Sequence, residues 1–145
     1  MQSRVIVHDS LKSHLFIEQI AQAIAVFYDY GIYADFLGHY GAFENNQNAT
    51  ASQLFKFHIA INQADFFSKH WRSKDGHKRT SDNFVIYAQH FLYQNYFLVL
   101  GIITPNAHAR IDNLLPRLIA KAEEFHALNL QALQKFKHYT ATQKH

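Results

Sequence analysis

The chain has 145 residues, 48% of them apolar and 15% aromatic, so it can bury the core of one domain spanning residues 1–145, and intrinsic disorder is excluded. The net charge is +3, and the lack of cysteine excludes disulfides, thiolate zinc sites and thiol nucleophiles, in agreement with a reducing compartment. The N-terminus lacks a signal-peptide core and no run approaches the ~18 apolar residues of a membrane span, so we expect a soluble, cytoplasmic protein with no membrane partner.

The first part of the chain predicts a strand followed by two helices. Residues 4–8 form a short β-like run. Apolar residues then recur at helical spacing over residues 11–28, and Gly31 is placed to end that helix. A second, short helix is expected over residues 34–37, with its end at Gly38.

The middle of the chain predicts a loop and then a strand. Residues 44–50 are polar and are typical of a loop. Residues 55–62 alternate between an apolar face and a second face that carries Lys56 and His58. A period of two indicates a half-buried strand.

A basic segment follows this strand and holds the whole excess of positive charge. Residues 69–79 contain five lysines or arginines and one aspartate, a local balance of +4, together with Trp71 and His77. Cations bind phosphates, and an aromatic ring can stack on an unpaired base, so this composition suits RNA binding. The alternative is an ordinary solvated loop.

Two apolar runs, residues 83–92 and 96–104, are joined by only three residues and predict a β-hairpin. A last helix is expected to begin near Asp112, which would cap it, with Pro116 in its first turn. The polar tail over residues 135–145 is expected to fray. The chain therefore predicts an α+β fold, an antiparallel sheet of about four strands with N-terminal helices and a long C-terminal helix.

The hairpin brings two distant polar clusters to one edge of the predicted sheet. Residues 78–82 precede the first hairpin strand, and residues 105–113 follow the second. Antiparallel pairing places the start of one strand beside the end of the other. We therefore expect Arg, Lys, His and Asp side chains from both clusters to meet there and form a candidate active site.

Several of these stretches resemble the YafO family of toxins. The resemblance covers roughly residues 26–125 and rests on these segments: Phe36-Leu37-Gly38, Leu54-Phe55-Lys56-Phe57, Arg79-Thr80-Ser81-Asp82 with Val85-Ile86-Tyr87, Pro105 to His108, and Asp112-Asn113. The chain departs from the family by an insertion at residues 73–76, by a helix that continues past Phe125, and by Ile111 where the family has an arginine, which leaves the role of Arg110 open.

The resemblance implies a RelE-like fold and a toxin that acts as a ribosome-dependent mRNA endoribonuclease. Its partners would be mRNA, the ribosome and a cognate antitoxin that covers the basic edge. The chain shows no His-Glu-x-x-His motif, carboxylate cluster or glycine-rich phosphate loop, so we expect neither a catalytic metal nor another cofactor.

RNA can be cut without metal when its own 2′-hydroxyl attacks the adjacent phosphate, which requires proton transfers and stabilisation of charge on phosphorus. Arg79 is the expected charge-stabilising group, because a guanidinium matches two phosphate oxygens. His108 is the first choice for proton transfer and His77 the second. Asp82 and Asp112 are expected to orient these groups. The expected RNA-binding residues are Lys69, Arg72, Lys74, Lys78, Tyr87, Arg110 and Trp71.

Other interpretations stay open at this point. The same surface could bind RNA or a protein without cutting it. Arg79 and Asp82 could form only a salt bridge, Tyr87 could be packed in the sheet, and His108 could serve only a loop or a helix cap. Residues 72–77 also match the Arg-x4-His signature of HEPN nucleases, which requires a helix in an all-helical domain. Gly76 beside Asp75 disfavours such a helix.

Overall fold

The structure is a computed structural model that describes residues 2–142, and its centre is a five-stranded sheet. The strands are β1 (Arg4–Val7), β2 (Leu37–Ala42), β3 (Leu54–Ile59), β4 (Phe84–Gln89) and β5 (Tyr96–Ile103). The helices are α1 (Ile17–Tyr30), α2 (Gln47–Ala51), α3 (Gln63–Phe67), α4 (Ala107–His126) and α5 (Leu130–Gln134). Single 3-10 turns cover Asp9–Leu11, Lys69–Trp71 and Gly76–Lys78.

The sheet has the order β1-β5-β4-β3-β2 and is mostly antiparallel; only β1 runs parallel to its neighbour, β5. The predicted α+β class, the β4–β5 hairpin and the long C-terminal helix are therefore confirmed. The end of α1 at Gly31 is also as predicted, because this residue adopts a left-handed conformation with φ of 70° and its N–H bonds to the Phe27 carbonyl.

The prediction of a short helix ending at Gly38 was wrong, because this segment opens β2. Leu37 pairs with Ile59 of β3, and the His39 N–H donates to the Arg79 carbonyl at 2.7 Å. A Cβ atom on Gly38 would lie 2.5 Å from the Arg79 carbonyl oxygen and 2.8 Å from the Trp71 ring. Gly38 therefore serves a close approach of chains rather than a helix end.

The start of the last helix was also predicted wrongly. It begins at Ala107, where the Ala107 N–H donates to the Asp82 carbonyl and the His108 N–H donates to the Asp82 carboxylate. Asp82 therefore caps the helix in place of Asp112, and Pro116 lies in the helix interior. A cap that comes from a segment 26 residues earlier leaves no local sequence signal.

Two further differences concern segments predicted to lack structure. Residues 47–51, expected as part of a loop, form α2, which is capped by the Asn46 side chain. In the tail, Tyr139 is buried and exchanges two backbone hydrogen bonds with Val5, and the fraying of the tail stays a prediction. The prediction for residues 143–145 lies outside the described part of the chain.

Two apolar cores lie on opposite faces of the sheet. Helix α1 covers the face that carries Phe57 and Tyr87, and α4 covers the face that carries Phe84 and Leu100. Each large side chain buried there contributes roughly 1.5–3 kcal/mol. Among the described residues, no helix is both long enough and apolar enough to cross a membrane.

Candidate active site

A polar cavity of about 620 Å³ lies where β3, α3, the loop before β4 and the first turn of α4 meet. Its lining comprises His58, Ala64, Asp65, Ser68, His70, Thr80, Ser81, Asp82 and His108. The structure thus brings together residues from both predicted polar clusters: Thr80, Ser81 and Asp82 from the first and His108 from the second. It adds groups from β3 and α3 that the sequence analysis had not assigned to a site.

The best-defined pair in the cavity is His108 and Asp82. One oxygen of the Asp82 carboxylate accepts the His108 backbone N–H at 2.8 Å and lies 2.6 Å from Nδ1 of the His108 ring. These hydrogen bonds lower the pKa of Asp82 below its usual value, and the bond from the backbone N–H has the larger effect. The carboxylate thus fixes the ring, while Nε2 of His108 has no protein partner within residues 2–142.

His58 of β3 faces the same cavity and was missed as a site residue. Its ring centroid lies 5.5 Å from that of His108, and its Nδ1 lies 2.7 Å from the Ser81 carbonyl oxygen and 2.9 Å from the Ser81 nitrogen. Burial lowers the pKa of His58 to about 4, and the nearby Lys56 acts in the same direction. His58 is therefore a neutral imidazole near pH 7.

Lys56 lies two residues before His58 on the same face of β3. Its ammonium lies 4.3 Å from the centroid of the Phe84 ring, and no salt bridge to it is found in the described chain. Burial lowers its pKa, and the charge of Asp112 opposes this effect. The alternation of residues 55–62 had already put Lys56 and His58 on one face, so that pattern could have identified both as site residues.

His108 and His58 belong to a row of four imidazoles. The ring of His39 in β2 lies 5.9 Å from His58, and the ring of His77 lies 4.4 Å from His39. His77 is anchored through Nδ1, which lies 3.2 Å from the Tyr33 hydroxyl. Two rings thus separate His77 from His108, so these two candidates for proton transfer do not occupy one site.

The predicted role of Arg79 requires correction. Its side chain is only 7% exposed, and the guanidinium donates hydrogen bonds to the backbone carbonyls of Ala34 and Leu37 at 2.6–3.0 Å. It also lies 5.5 Å from the Trp71 ring. Arg79 therefore holds the start of β2 in place and is not presented to a phosphate, and its predicted salt bridge with Asp82 is replaced by the His108–Asp82 pair.

Two of the predicted RNA-binding residues are also packed inside the protein. Tyr87 is fully buried, and its hydroxyl oxygen lies 2.7 Å from that of Tyr28, so burial raises its pKa well above the usual value. Trp71 is 5% exposed and donates its indole N–H to the Asp35 carbonyl. Neither ring is available to stack on a base.

The remaining predicted residues lie at the surface. Lys69, Arg72, Lys74 and Lys78 are exposed and form no salt bridge with another described residue. Arg110 is exposed, but its guanidinium donates to the carbonyls of Thr104 and Pro105 before α4. Asp112 is exposed on α4, close enough to Lys56 to affect its pKa.

The cavity contains no set of side chains suited to a metal ion. Within residues 2–142, no group of three or more His, Asp or Glu side chains could hold one. The polar groups that face the cavity are imidazoles, carboxylates and hydroxyls, which can accept, donate and orient protons.

The α+β fold and the cavity define a small protein with a polar, histidine-lined site beside an exposed basic segment. The family model described as toxin YafO of type II toxin–antitoxin systems matches residues 14–127, a range that includes every residue of the cavity. The chain belongs to this YafO toxin family. It is therefore a toxin, and an antitoxin is implied as its partner.

The other comparisons add no relative. No curated protein and no solved structure matches the chain significantly. The HEPN interpretation is excluded by the fold, because Arg72 and His77 lie on no common helix and the domain contains a five-stranded sheet.

Proposed function

We propose that this toxin is a metal-independent endoribonuclease that cuts mRNA on the translating ribosome, with the cavity between β3 and α4 as its active site. The observation that carries the proposal is the His108–Asp82 pair at the mouth of that cavity, with a distance of 2.6 Å between Nδ1 and the carboxylate. A carboxylate that fixes one ring nitrogen leaves the other to exchange a proton with a substrate. The resemblance to RelE-like toxins supports mRNA as the substrate.

The chemistry required by RNA cleavage suits the groups at this site. Negative charge develops on the non-bridging phosphate oxygens as the 2′-hydroxyl attacks, and a nearby cation stabilises it. With Arg79 committed to backbone carbonyls, Lys56 takes this role, because it lies on the face of β3 that also carries His58. Partial burial strengthens its interaction with a phosphate, because less water screens the charge.

The exposed cations of the basic segment extend the site. Lys69 flanks the cavity residue His70, and Arg72, Lys74 and Lys78 follow in the same exposed segment. None is neutralised by a salt bridge within the described chain, so all four can bind RNA phosphates. These side chains position RNA without reading its sequence, and the ribosome would supply the remaining alignment.

The antitoxin would silence the enzyme by covering this cationic surface. An exposed cationic face without intramolecular partners favours an acidic partner segment. Both toxin and antitoxin would act in the cytoplasm, where ribosomes translate mRNA.

Expression in cells tests the proposal. Wild-type protein is expected to stop growth and to produce new 5′ ends in mRNA, as detected by primer extension. The variant His108→Asn should lose both effects. The control variant His8→Asn should retain them, because His8 caps a 3-10 turn outside the cavity and asparagine is also a good N-cap residue.

The result of primer extension also separates cleavage from the main alternative, a module that binds RNA or protein without cutting. A binding module would stop growth without new 5′ ends, and His108→Asn would remain toxic provided that the basic segment is intact. That outcome would contradict the endoribonuclease.

A further inference from the structure

We propose that His58 is the second proton-transfer residue of this site, accepting the proton of the 2′-hydroxyl while His108 protonates the leaving 5′-oxygen. This inference rests on the proposed endoribonuclease function and extends it. It assigns a separate role to each of the two imidazoles that face one cavity.

The geometry places both rings within reach of a single phosphate. Their centroids are 5.5 Å apart, and both rings line the cavity. Nε2 of His58 has no hydrogen-bond partner within residues 2–142, yet no buried side-chain nitrogen or oxygen in that range lacks one. This nitrogen must therefore be accessible to solvent.

The environment of His58 favours the form that a base requires. Nδ1 faces both the Ser81 carbonyl oxygen at 2.7 Å and the Ser81 N–H at 2.9 Å, so it can donate to the first or accept from the second, but not both. We assign the tautomer in which Nδ1 donates to the nearer carbonyl, which leaves the lone pair of Nε2 for the substrate. Burial lowers the pKa of the ring, and the cation of Lys56 on the same strand adds to this effect. The imidazole is thus unprotonated at neutral pH and able to accept a proton.

His108 has the arrangement expected of the acid. Its Nδ1 is held by a carboxylate, whereas Nδ1 of His58 is held by a neutral backbone carbonyl. Of the two rings, only that of His108 is hydrogen-bonded to a carboxylate. The two histidines therefore have different hydrogen-bond partners, as expected when one acts as the acid and the other as the base.

The reaction balances with these two groups alone. The 2′-oxygen forms a bond to phosphorus as Nε2 of His58 takes its proton, and the bond between phosphorus and the 5′-oxygen breaks as His108 gives a proton to that oxygen. The products are a 2′,3′-cyclic phosphate and a 5′-hydroxyl end. His58 is then protonated and His108 neutral, and exchange with water restores both.

Other ionisable groups lie near His58 or line the same cavity, and each can affect the pH dependence of this step. They are Lys56 on its own strand, His39 on β2, Asp65 on α3, His70 and Asp82 in the adjoining loops, and His108 on α4. The test therefore compares variants at one pH rather than relying on a pH profile.

Purified protein and ribosomes programmed with a defined mRNA provide the test. The cleavage site is first mapped with wild-type protein, and the mRNA is then made with sulfur in place of the bridging 5′-oxygen at that site. A thiolate leaves without being protonated, so this substrate removes the need for an acid but not for a base. Cleavage rates are measured for wild type, His58→Asn, His108→Asn and the control His8→Asn.

With the normal substrate, both cavity variants should lose roughly 10²–10⁴-fold in rate, the usual contribution of a proton-transfer group. With the sulfur substrate, His108→Asn should return to within about tenfold of wild type, whereas His58→Asn should keep its defect. A His58→Asn rate equal to wild type, or its rescue by sulfur, would overturn the role of His58. If wild type cuts neither substrate, the endoribonuclease proposal itself fails.

A second measurement avoids the risk that His58→Asn does not fold. Wild-type protein labelled with ¹⁵N-histidine is titrated with an equimolar mixture of the four nucleoside 3′-monophosphates and followed by NMR. The signals of both His58 and His108 should shift, because both rings contact the phosphate. Shifts restricted to His108, or none at millimolar nucleotide, would overturn the inference.

Discussion

At the scale of single residues, Arg79 shows that a guanidinium, although suited to binding phosphate, can have a structural role because of its position. Its guanidinium donates to two backbone carbonyls and packs near Trp71, and the same residue's carbonyl accepts the His39 N–H. Hydrogen bonds from a charged donor each contribute roughly 1.5–3 kcal/mol, more than neutral ones. Arg79 thus joins the basic segment to β2, and its removal acts on stability.

Arg79→Ala should lower the free energy of unfolding by roughly 2–4 kcal/mol, because buried carbonyl groups lose their donor. Arg72→Ala is the matched control, since Arg72 is exposed and should change stability by less than about 0.5 kcal/mol. Urea denaturation measures both. If Arg79→Ala kept full stability but lost activity, the phosphate-binding role first predicted from the sequence would be restored.

Two buried histidines predict how stability depends on pH. Burial lowers the pKa of His58 to about 4, and it also lowers the pKa of His90, whose Nδ1 accepts the N–H groups of Leu92 and Tyr93. The unfolded chain binds protons at these residues near pH 6.5, whereas the folded chain does so only at lower pH. Their stabilisation is therefore complete above pH 6.5 and is lost as the pH falls toward 4.

Urea denaturation at several pH values between 7 and 4 tests this prediction. Wild type should lose stability steadily over this range, and His58 alone accounts for roughly 2–3 kcal/mol of the loss. The variant His58→Gln should show a shallower dependence on pH. A wild-type stability that stays constant between pH 6.5 and 4 would contradict the assignment of neutral, buried imidazoles.

At the scale of elements, β2 and the first turn of α4 position the site. β2 places His39 beside His58, and α4 begins where Asp82 accepts its first N–H groups. Asp82 therefore serves both as a helix cap and as the partner of a ring in the cavity. Helix α4 and the cavity are thus connected through one carboxylate.

Gly38 and Gly41 in β2 form a matched pair for testing its packing. A Cβ atom at Gly38 would lie 2.5 Å from the Arg79 carbonyl oxygen, whereas one at Gly41 would lie no closer than 3.5 Å to the Lys56 side chain. Gly38→Ala should destabilise the protein by roughly 1–3 kcal/mol, and Gly41→Ala should have little effect. Equal thermal unfolding temperatures for the two variants would contradict the close approach at Gly38.

The sequence predicted the elements whose signals are local. Alternation predicted β3, and two β-branched runs with a three-residue connection predicted the β4–β5 hairpin. β2 was missed because it contains two glycines, which weaken a strand pattern and are typical of turns. The start of α4 was missed because its cap, Asp82, is distant in the chain.

The site was predicted only in part, because some of its contacts leave a signal in the sequence and others do not. Antiparallel pairing was enough to bring Asp82 and His108 to one edge. The burial of Arg79 and Trp71 could not be predicted, because both bond to backbone carbonyls, and any residue can provide these. His58 and Lys56 had a visible signal in the alternation of β3, but this alternation was used only to predict a half-buried strand.

At the scale of the whole molecule, the charge is unevenly distributed. The net charge of +3 is the sum of a basic segment beside the cavity and a slightly acidic rest of the chain. A local cationic surface attracts RNA and positions it, and the attraction weakens with added salt. In the proposed function, the cavity would supply the chemistry, and the basic segment would supply the affinity for RNA.

The double variant Lys74→Gln, Lys78→Gln should weaken RNA binding and its dependence on salt. Each phosphate contact to single-stranded RNA contributes a slope of about 0.7 in a plot of log affinity against log salt, so the slope should fall by about 1–1.5. Binding is measured by fluorescence anisotropy in the inactive His108→Asn background. An unchanged slope would show that these lysines do not contact RNA.

The chemical identity of the RNA ends tests the central claim most directly. Purified toxin is incubated with programmed ribosomes in the presence of EDTA at a concentration that leaves ribosomal magnesium in excess but removes trace transition metals, and the fragments are analysed by mass spectrometry. We expect a 2′,3′-cyclic phosphate on one fragment and a 5′-hydroxyl on the other, with neither formed by His108→Asn. Intact mRNA, or fragments with 5′-phosphate ends, would contradict it.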